Sequence, residues 1–139
     1  MVEVAQLLAG DVAVVTGAAQ GNGAAIAVGL ARSGAAVILC DLNGEGAREQ
    51  AARITASGGK ARGFALDVAD RAACLAFADT ARGVFGPVSV VVNNAGITRR
   101  TAPGDDSFLS DLDAQIDINL KGSAQMVVAL LDQLRATKG

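Results

Sequence analysis

Three glycines lie in a short segment, Thr16–Gly23, which reads T-G-A-A-Q-G-N-G and follows a run of apolar residues. A helix that begins here leaves backbone N–H groups without partners and carries partial positive charge at its N-terminus. Such an end attracts phosphate, and glycine allows a tight turn and a close approach of the backbone to a pyrophosphate. Because turns between strands and helices also use glycine, the triplet alone is weak support for a cofactor. The candidate cofactor-binding residues of this loop are Thr16, Gly17, Gln20, Gly21, Asn22 and Gly23.

A carboxylate follows the next apolar run, about 20 residues beyond the loop. Asp41 stands where a carboxylate accepts hydrogen bonds from the ribose hydroxyls of an adenine dinucleotide. Its neighbours Cys40 and Leu42 carry no positive charge, so a 2′-phosphate would face an unneutralised Asp41 and NAD(H) should be preferred over NADP(H). Asp41 and Leu42 are therefore candidate cofactor-binding residues. An N-cap of the following helix accounts for Asp41 equally well.

Short apolar runs alternate with longer helical patterns along the whole chain. Most of the runs are almost continuously apolar, which is typical of parallel strands covered on both faces. This alternation predicts a doubly wound α/β fold with a parallel sheet of four strands and right-handed crossovers. The predicted strands are Val12–Thr16, Ala36–Cys40, Ala61–Leu66 and Val88–Val92, and the predicted helices are Asn22–Ser33, Gly44–Ser57, Asp70–Phe85 and Leu109–Thr137.

Composition excludes several classes of function. The 139 residues carry a formal net charge of −2, which argues against nucleic acid as a partner. Two cysteines, Cys40 and Cys74, are too few for a disulfide framework, and we expect both to be reduced and structural, with no metal site. Met1–Gly10 lacks the features of a signal peptide and no apolar stretch approaches the length of a membrane span. We therefore expect a cytoplasmic protein without a membrane partner.

Four motifs in the same order resemble those of the short-chain dehydrogenase/reductase family. The glycine loop matches the family's T-G-x-x-x-G-x-G, Leu66-Asp67-Val68 resembles its adenine site, Asn93-Asn94-Ala95-Gly96 matches its N-N-A-G motif, and Ile118–Gly122 resembles its helix segment with a catalytic-site asparagine. The resemblance covers essentially the whole chain. It implies a Rossmann-like NAD-binding domain over residues 1–139 of an oxidoreductase that interconverts a secondary alcohol and a carbonyl.

The resemblance also implies roles for individual residues. Asp67 and Val68 would hold the adenine, Asn94, Ala95 and Gly96 would line the cofactor cleft, and Asn119 would belong to the catalytic constellation. Two of these residues have a simpler structural role open to them, because Asp67 could only end a strand and Asn94 could be a turn residue. An asparagine in mid-helix also indicates a local helix distortion or a held water at Asn119. Asn22 departs from the aliphatic residue that the family commonly has at its position.

The chain contains no tyrosine and no histidine. The family's hydride transfer needs a tyrosine that exchanges a proton with the substrate oxygen and a lysine four residues later that lowers its pKa. No Y-x-x-x-K motif can exist here. We therefore expect the chain to be the cofactor-binding half of the enzyme, inactive when isolated. A fragment, a proteolysed product and one chain of a split enzyme remain open, and a non-catalytic nucleotide-binding or regulatory subunit is the alternative function.

Two apolar surfaces predict further protein partners. Val88–Val92 is apolar on both faces, like an interior strand that needs a neighbour on each side, so a carboxyl-terminal segment or chain should supply the next parallel strand. The last predicted helix is apolar around much of its circumference, which predicts a homo-oligomer that pairs through Leu109–Leu134. In the polar loop Thr98–Asp106, Arg99 and Arg100 either meet an anionic substrate or face solvent.

Overall fold

The computed structural model describes residues 5–139 and confirms the predicted alternation of strands and helices. Residues 1–4, part of the segment examined for a signal peptide, lie outside the described residues. The strands are β1 Val12–Thr16, β2 Ala36–Asp41, β3 Lys60–Ala65 and β4 Val90–Val92. The helices are α1 Gly21–Arg32, α2 Gly44–Ala56, α3 Arg71–Phe85, α4 Phe108–Gln115 and α5 Ser123–Thr137, and a π-helical segment, Ile116–Gly122, joins α4 to α5.

The strands form one parallel sheet in the order β3-β2-β1-β4. The order reverses beside β1, because β2 and β3 lie on one side of it and β4 lies on the other. In open α/β sheets this switch point leaves a crevice at the carboxyl ends of the two strands. The fold is therefore a Rossmann-like α/β sheet, and within residues 5–139 it is open, with β3 and β4 at its edges.

Two apolar cores cover the two faces of the sheet, because successive side chains of a strand point to opposite faces. Val14 and Ile38 pack with residues of α3 and α5, including Phe77 and Met126. Ala13, Val15, Val37 and Leu39 pack on the other face with the alanines and Ile54 of α1 and α2. All five residues of β1 are buried, which explains its almost continuously apolar sequence.

Two predicted elements differ from the structure by more than a single residue at an end. β4 is three residues long, shorter than the predicted Val88–Val92, because Val88 and Ser89 approach the sheet through other contacts. The backbone N–H of Val88 donates to the side chain of Gln133, and that of Ser89 donates to Val12 O. The single helix predicted over Leu109–Thr137 is interrupted by the π-helical segment around Asn119. This segment is the local helix distortion that the asparagine indicated.

The surface of the α4–α5 region carries several exposed apolar side chains. Leu109, Leu120 and Val128 are 69%, 67% and 59% exposed, and Leu112, Ile116 and Val127 are also exposed. None of the helices in the described part of the chain has the length and apolar character needed to cross a bilayer.

Candidate functional site

A cleft of about 420 Å³ lies at the carboxyl ends of the strands, on both sides of the switch point. The loops that follow β1, β2, β3 and β4 all contribute to it, together with the π-helical segment. It is lined by Gly17, Gln20, Gly21, Asn22, Cys40, Asp41, Leu42, Leu66, Asp67, Val68, Asn94, Ala95, Gly96, Ile97 and Ile118. Three predicted site residues, Thr16, Gly23 and Asn119, do not line the cleft and contact the residues that do.

The glycine loop presents the uncapped end of α1 to this cleft. Gly17 and Gly21 have φ values of +64° and +59°, in the left-handed region that favours glycine. Gln20 is the N-cap residue of α1, and its side chain makes no capping hydrogen bond. A Cβ built on Gly21 would meet no atom within 4 Å, so this side of the loop is open to a ligand. The end of α1 therefore fits a phosphate group.

Asn94 and Thr16 fix the glycine loop to the segment after β4. The side-chain amide of Asn94 donates to Thr16 O and Gly17 O, at 3.1 and 3.0 Å. The Thr16 hydroxyl accepts from the backbone N–H groups of Asn94 and Ala95, at 3.1 and 3.0 Å. Gly23 is buried beneath this junction, where an added Cβ would collide with Gly17 O and lie 2.6 Å from the Asn94 amide nitrogen. Asn94 is thus more than a turn residue, and it holds the cleft together.

Asp41 ends β2 with its carboxylate oriented by two backbone groups. One oxygen accepts from Ala19 N at 3.0 Å, and the other accepts from Asn43 N at 2.9 Å. The N-cap of α2 is Asn43, whose side chain accepts from Gly46 N, so the N-cap alternative for Asp41 is wrong. Each Asp41 oxygen keeps acceptor capacity, since an ionised carboxylate has about four lone-pair sites. A second carboxylate, Asp67, lines the cleft, and no arginine or lysine among residues 5–139 does.

The segment Leu66–Val68 follows β3 and forms the next part of the wall. Asp67 accepts from Ala69 N at 2.9 Å through one oxygen and is otherwise exposed. Val68 is fixed by α5, because the side chain of Gln125 donates to Val68 O at 2.6 Å. Gly122 also packs against Val68, and a Cβ there would lie 2.7 Å from a methyl group of Val68.

Asn119 lies in the π-helical segment and pairs with the backbone of Ile97. Its side-chain oxygen accepts from Ile97 N and its side-chain nitrogen donates to Ile97 O, both at 2.8 Å. The backbone O of Asn119 accepts from the Ser123 hydroxyl at 3.1 Å. A π-helical turn breaks the regular i→i−4 ladder, and such turns are frequent at functional sites. Asn119 therefore connects the interrupted helix to the wall of the cleft.

Two ion pairs and two buried thiols lie around the cleft. Arg99 donates to Asp111 at 2.8 Å, and this hydrogen bond holds the pKa of the Asp111 carboxyl below its ordinary value. Lys121 donates to Asp117 at 2.8 Å, which raises the pKa of Lys121. Burial raises the pKa of both the Cys40 and the Cys74 thiols, so both are poor nucleophiles. The Arg99 guanidinium is half-exposed and binds the Asp111 carboxylate of its own chain.

The sequence prediction missed four residues that line the cleft, Cys40, Leu66, Ile97 and Ile118. Each is a direct neighbour of a predicted residue, and each is apolar or a buried thiol. Their only available signal was adjacency to the motifs, because an apolar side chain gives the same pattern in a core and in a cleft wall. Among residues 5–139, no three His, Cys, Asp or Glu side chains come together as a metal site.

Comparison with known proteins gives one consistent family. The family model described as short chain dehydrogenase matches residues 11–139. The chain is 46% identical over 123 residues to a D-threitol dehydrogenase of Mycolicibacterium smegmatis, which covers 88% of this chain and 47% of that relative. It is also 46% identical over 111 residues to a 4-formylbenzenesulfonate dehydrogenase of Comamonas testosteroni, covering 80% and 44% of the two chains.

A further relative is the short-chain reductase protein NovJ of Streptomyces niveus, 40% identical over 128 residues, or 90% of this chain and 47% of the relative. The chain thus spans about half the length of the curated relatives it matches. The family model covers nearly all of the described residues, and its fold agrees with the parallel sheet seen here. The chain therefore belongs to the short-chain dehydrogenase/reductase family of oxidoreductases.

Proposed function

We propose that this chain is the NAD(H)-binding half of an oxidoreductase that interconverts a secondary alcohol and a carbonyl by hydride transfer. The observation that carries the proposal is the cleft itself, in which an uncapped helix end and the Asp41 carboxylate face the same space. A dinucleotide needs both, an electropositive end for its pyrophosphate and an acceptor for its ribose hydroxyls. When bound, the nicotinamide cofactor supplies the hydride donor or acceptor.

The glycine loop would hold the pyrophosphate through backbone N–H groups. Gly17, Gly21 and Asn22 line the cleft at the start of α1, and the space beside Gly21 is free of protein atoms. Thr16 and Gly23 would not touch the pyrophosphate. Both are buried under the loop and would keep its backbone in shape. The exposed amide of Asn22 would add a hydrogen-bond donor where an aliphatic side chain could not.

Asp41 would select NAD(H) over NADP(H). Its carboxylate is held by two backbone N–H groups, and the described part of the chain places no arginine or lysine in the cleft wall to neutralise a 2′-phosphate. A phosphate group there would meet like charge at short range, which costs binding free energy. The adenine would lie between Leu42 and the segment Asp67–Val68, with Asp67 free to accept from the adenine amino group.

Asn119 would serve the reaction from the other end of the cleft by holding Ile97, next to Gly96 and Ala95. The proton that accompanies hydride transfer needs a general acid or base, and the sequence holds neither tyrosine nor histidine. We propose that a carboxyl-terminal half, as a second segment or chain, supplies this group and the next parallel strand beside β4. The half-exposed valines of β4 and its single described partner, β1, support this assembly.

The relatives support an alcohol or a carbonyl as the substrate. Their names describe a dehydrogenase of a polyol, D-threitol, and a dehydrogenase of an aromatic aldehyde that carries a sulfonate. A secondary alcohol or its ketone is the class that we propose for the assembled enzyme. The missing tyrosine favours one alternative, a subunit that binds the nucleotide without catalysing a reaction.

Calorimetric titration of NADH and NADPH into the assembled protein tests the cofactor assignment. We expect tighter binding of NADH, and we expect Asp41→Ala to reduce or reverse this preference. Asp79→Ala is a matched control, because Asp79 is exposed on α3 and lies outside the cleft. Equal affinities for both cofactors in the parent protein would refute the assignment. The intact mass of the purified sample shows whether a second polypeptide accompanies the chain. Steady NADH turnover by this chain alone would contradict the inference that another segment or chain supplies the general acid or base.

A further inference from the structure

Three polar side chains of one helical stretch contact the segment that follows the N-N-A-G motif. Asp111, Gln115 and Asn119 are spaced four residues apart across α4 and the π-helical segment. Asn119 pairs with both backbone groups of Ile97 at 2.8 Å, and Gln115 accepts from Arg99 N at 3.1 Å. Asp111 accepts from the Arg99 guanidinium at 2.8 Å. We refer to Asp111, Gln115 and Asn119 as the polar ladder.

The spacing explains how a helix can hold an extended segment. Residues four apart on a helix are neighbours on one face, with Cβ atoms about 5–6 Å apart, and alternate residues of an extended chain are roughly 6.5 Å apart. Side chains four residues apart therefore meet residues two apart, here Ile97 and Arg99. The contacts involve the backbone of both residues, so the ladder fixes the path of the chain and not only its side chains.

The ladder has its own internal support. Gln115 donates to Asp111 O at 3.2 Å, so the same amide that accepts from Arg99 is held on its other side. The side chain of Asp111 is 11% exposed, and its one described ion pair is to Arg99. A buried carboxylate is costly unless it is paired, so the Arg99 contact ties the loop to α4. The hydrogen bond from Arg99 also holds the pKa of Asp111 below its ordinary value, consistent with an ionised pair.

We propose that Asp111 and Gln115 are positioning residues for the cleft, acting through the segment Gly96–Arg99. Gly96 and Ile97 line the cleft, whereas Asp111 and Gln115 do not. The proposal rests on the proposed function, because the wall they set is the one that would meet the cofactor or substrate. It assigns a role in the site to two residues of α4 that no motif marks.

Gln115→Leu and Gln115→Glu form the test pair, both made in the assembled protein. Leucine removes the acceptor for Arg99 N at similar volume, whereas glutamate keeps an oxygen in its place. Hydrogen exchange by mass spectrometry, without ligand, reports how strongly the backbone N–H groups of the loop are protected. NADH titration reports the affinity of the cleft for the cofactor. We expect Gln115→Leu to raise exchange in a peptide covering residues 97–102 and to weaken NADH binding roughly three- to tenfold, the usual effect of one lost hydrogen bond. Glutamate keeps the acceptor for Arg99 N but loses the donor to Asp111 O, so it should restore both in part.

Two results would overturn the inference. In the first, Gln115→Leu leaves exchange in residues 97–102 unchanged. In the second, exchange rises equally across α4 and α5 and glutamate restores nothing, which is the pattern of a general packing defect. If NADH fails to bind the parent protein, the proposed function is refuted, and the ligand-free exchange result alone then decides whether the ladder positions the loop.

Discussion

Asp111 is a carboxylate whose ionised form is stabilised by the folded structure. Arg99 and a hydrogen bond from Ser107 lower its pKa from an ordinary value of 3.8, against the opposing effect of burial. A carboxyl with a lower pKa in the folded state contributes stability above its unfolded pKa and loses it as the pH falls through the folded value. The contribution should therefore be complete at neutral pH and should decline progressively as the pH falls below about 4.

Urea unfolding of the parent protein and of Asp111→Asn checks this dependence. The difference in the free energy of unfolding between them should be largest at pH 7 and should shrink at pH 3. Asp106→Asn removes one negative charge from an exposed residue of the neighbouring loop and serves as the control. A difference that stays constant from pH 7 to pH 3 would show that the Arg99 pair does not stabilise the fold.

Gly21 combines a left-handed backbone with open space toward the cleft. A valine here would put its side chain where the pyrophosphate should lie, since a Cβ meets no protein atom within 4 Å. We expect Gly21→Val to lower stability by about 1–2 kcal/mol through its positive φ, and to abolish NADH fluorescence enhancement. Gly58→Val matches it, with φ +92°, equally open space and a position outside the cleft. Equal NADH binding by the two variants would show that the loop does not hold phosphate.

At the scale of elements, α1 packs against β1 through the small residues at its start. Gly23 lets the helix approach the loop so closely that a Cβ would collide with Gly17 O. Gly29, further along the same helix, has no atom within 4 Å of a Cβ. The two glycines therefore differ in packing although both lie inside the helix.

Substitution of alanine for Gly23 and for Gly29 should change the free energy of unfolding in opposite directions. Gly29→Ala should stabilise the protein by about 0.5–1 kcal/mol, because alanine loses less backbone entropy in a helix. Gly23→Ala should destabilise it by about 1–3 kcal/mol, since the collision forces the backbone to shift. Thermal unfolding followed by circular dichroism measures both. A neutral Gly23→Ala would mean that the junction of Gly17, Gly23 and Asn94 is loosely packed.

At the scale of the molecule, the exposed apolar side chains of the α4–α5 region lie on the surface for which the sequence predicts self-association. Leu120 and Val128 are 67% and 59% exposed, and Leu109, Leu112 and Ile116 are exposed before them in the same helical stretch. Contiguous patches of this kind mark interfaces. A second copy of the chain, paired through Leu109–Leu134, remains the prediction made from the sequence.

A charged residue inside such an interface should weaken self-association. We expect Leu120→Asp and Val128→Asp to shift the assembled protein toward smaller species in light scattering after size exclusion. Leu75→Asp is the control, because Leu75 is 49% exposed on α3, outside this patch. If the parent protein is a monomer, or if all three variants keep its size, the patch is not a self-association surface.

The amino-acid sequence by itself determined the order of the elements and indicated most of the residues that line the cleft. Continuous apolar runs predict buried parallel strands, and parallel strands bring their carboxyl ends to one edge, so Gly17, Asp41 and Asp67 could be assigned to one site before any distance was known. Asn119 could be recognised as a point of distortion, because an asparagine in mid-helix has poor helix propensity.

Only the tertiary structure decided what each polar side chain contacts. Asn94 binds Thr16 and Gly17 across 77 or 78 positions of sequence, and Asn119 binds Ile97 across 22. The polar ladder could not be read from the sequence, because Asp111 and Gln115 look like ordinary helix-surface residues there. Hydrogen-bond partners depend on the packing of whole elements, which local periodicity does not encode, whereas strand and helix identity depend on neighbours a few residues away.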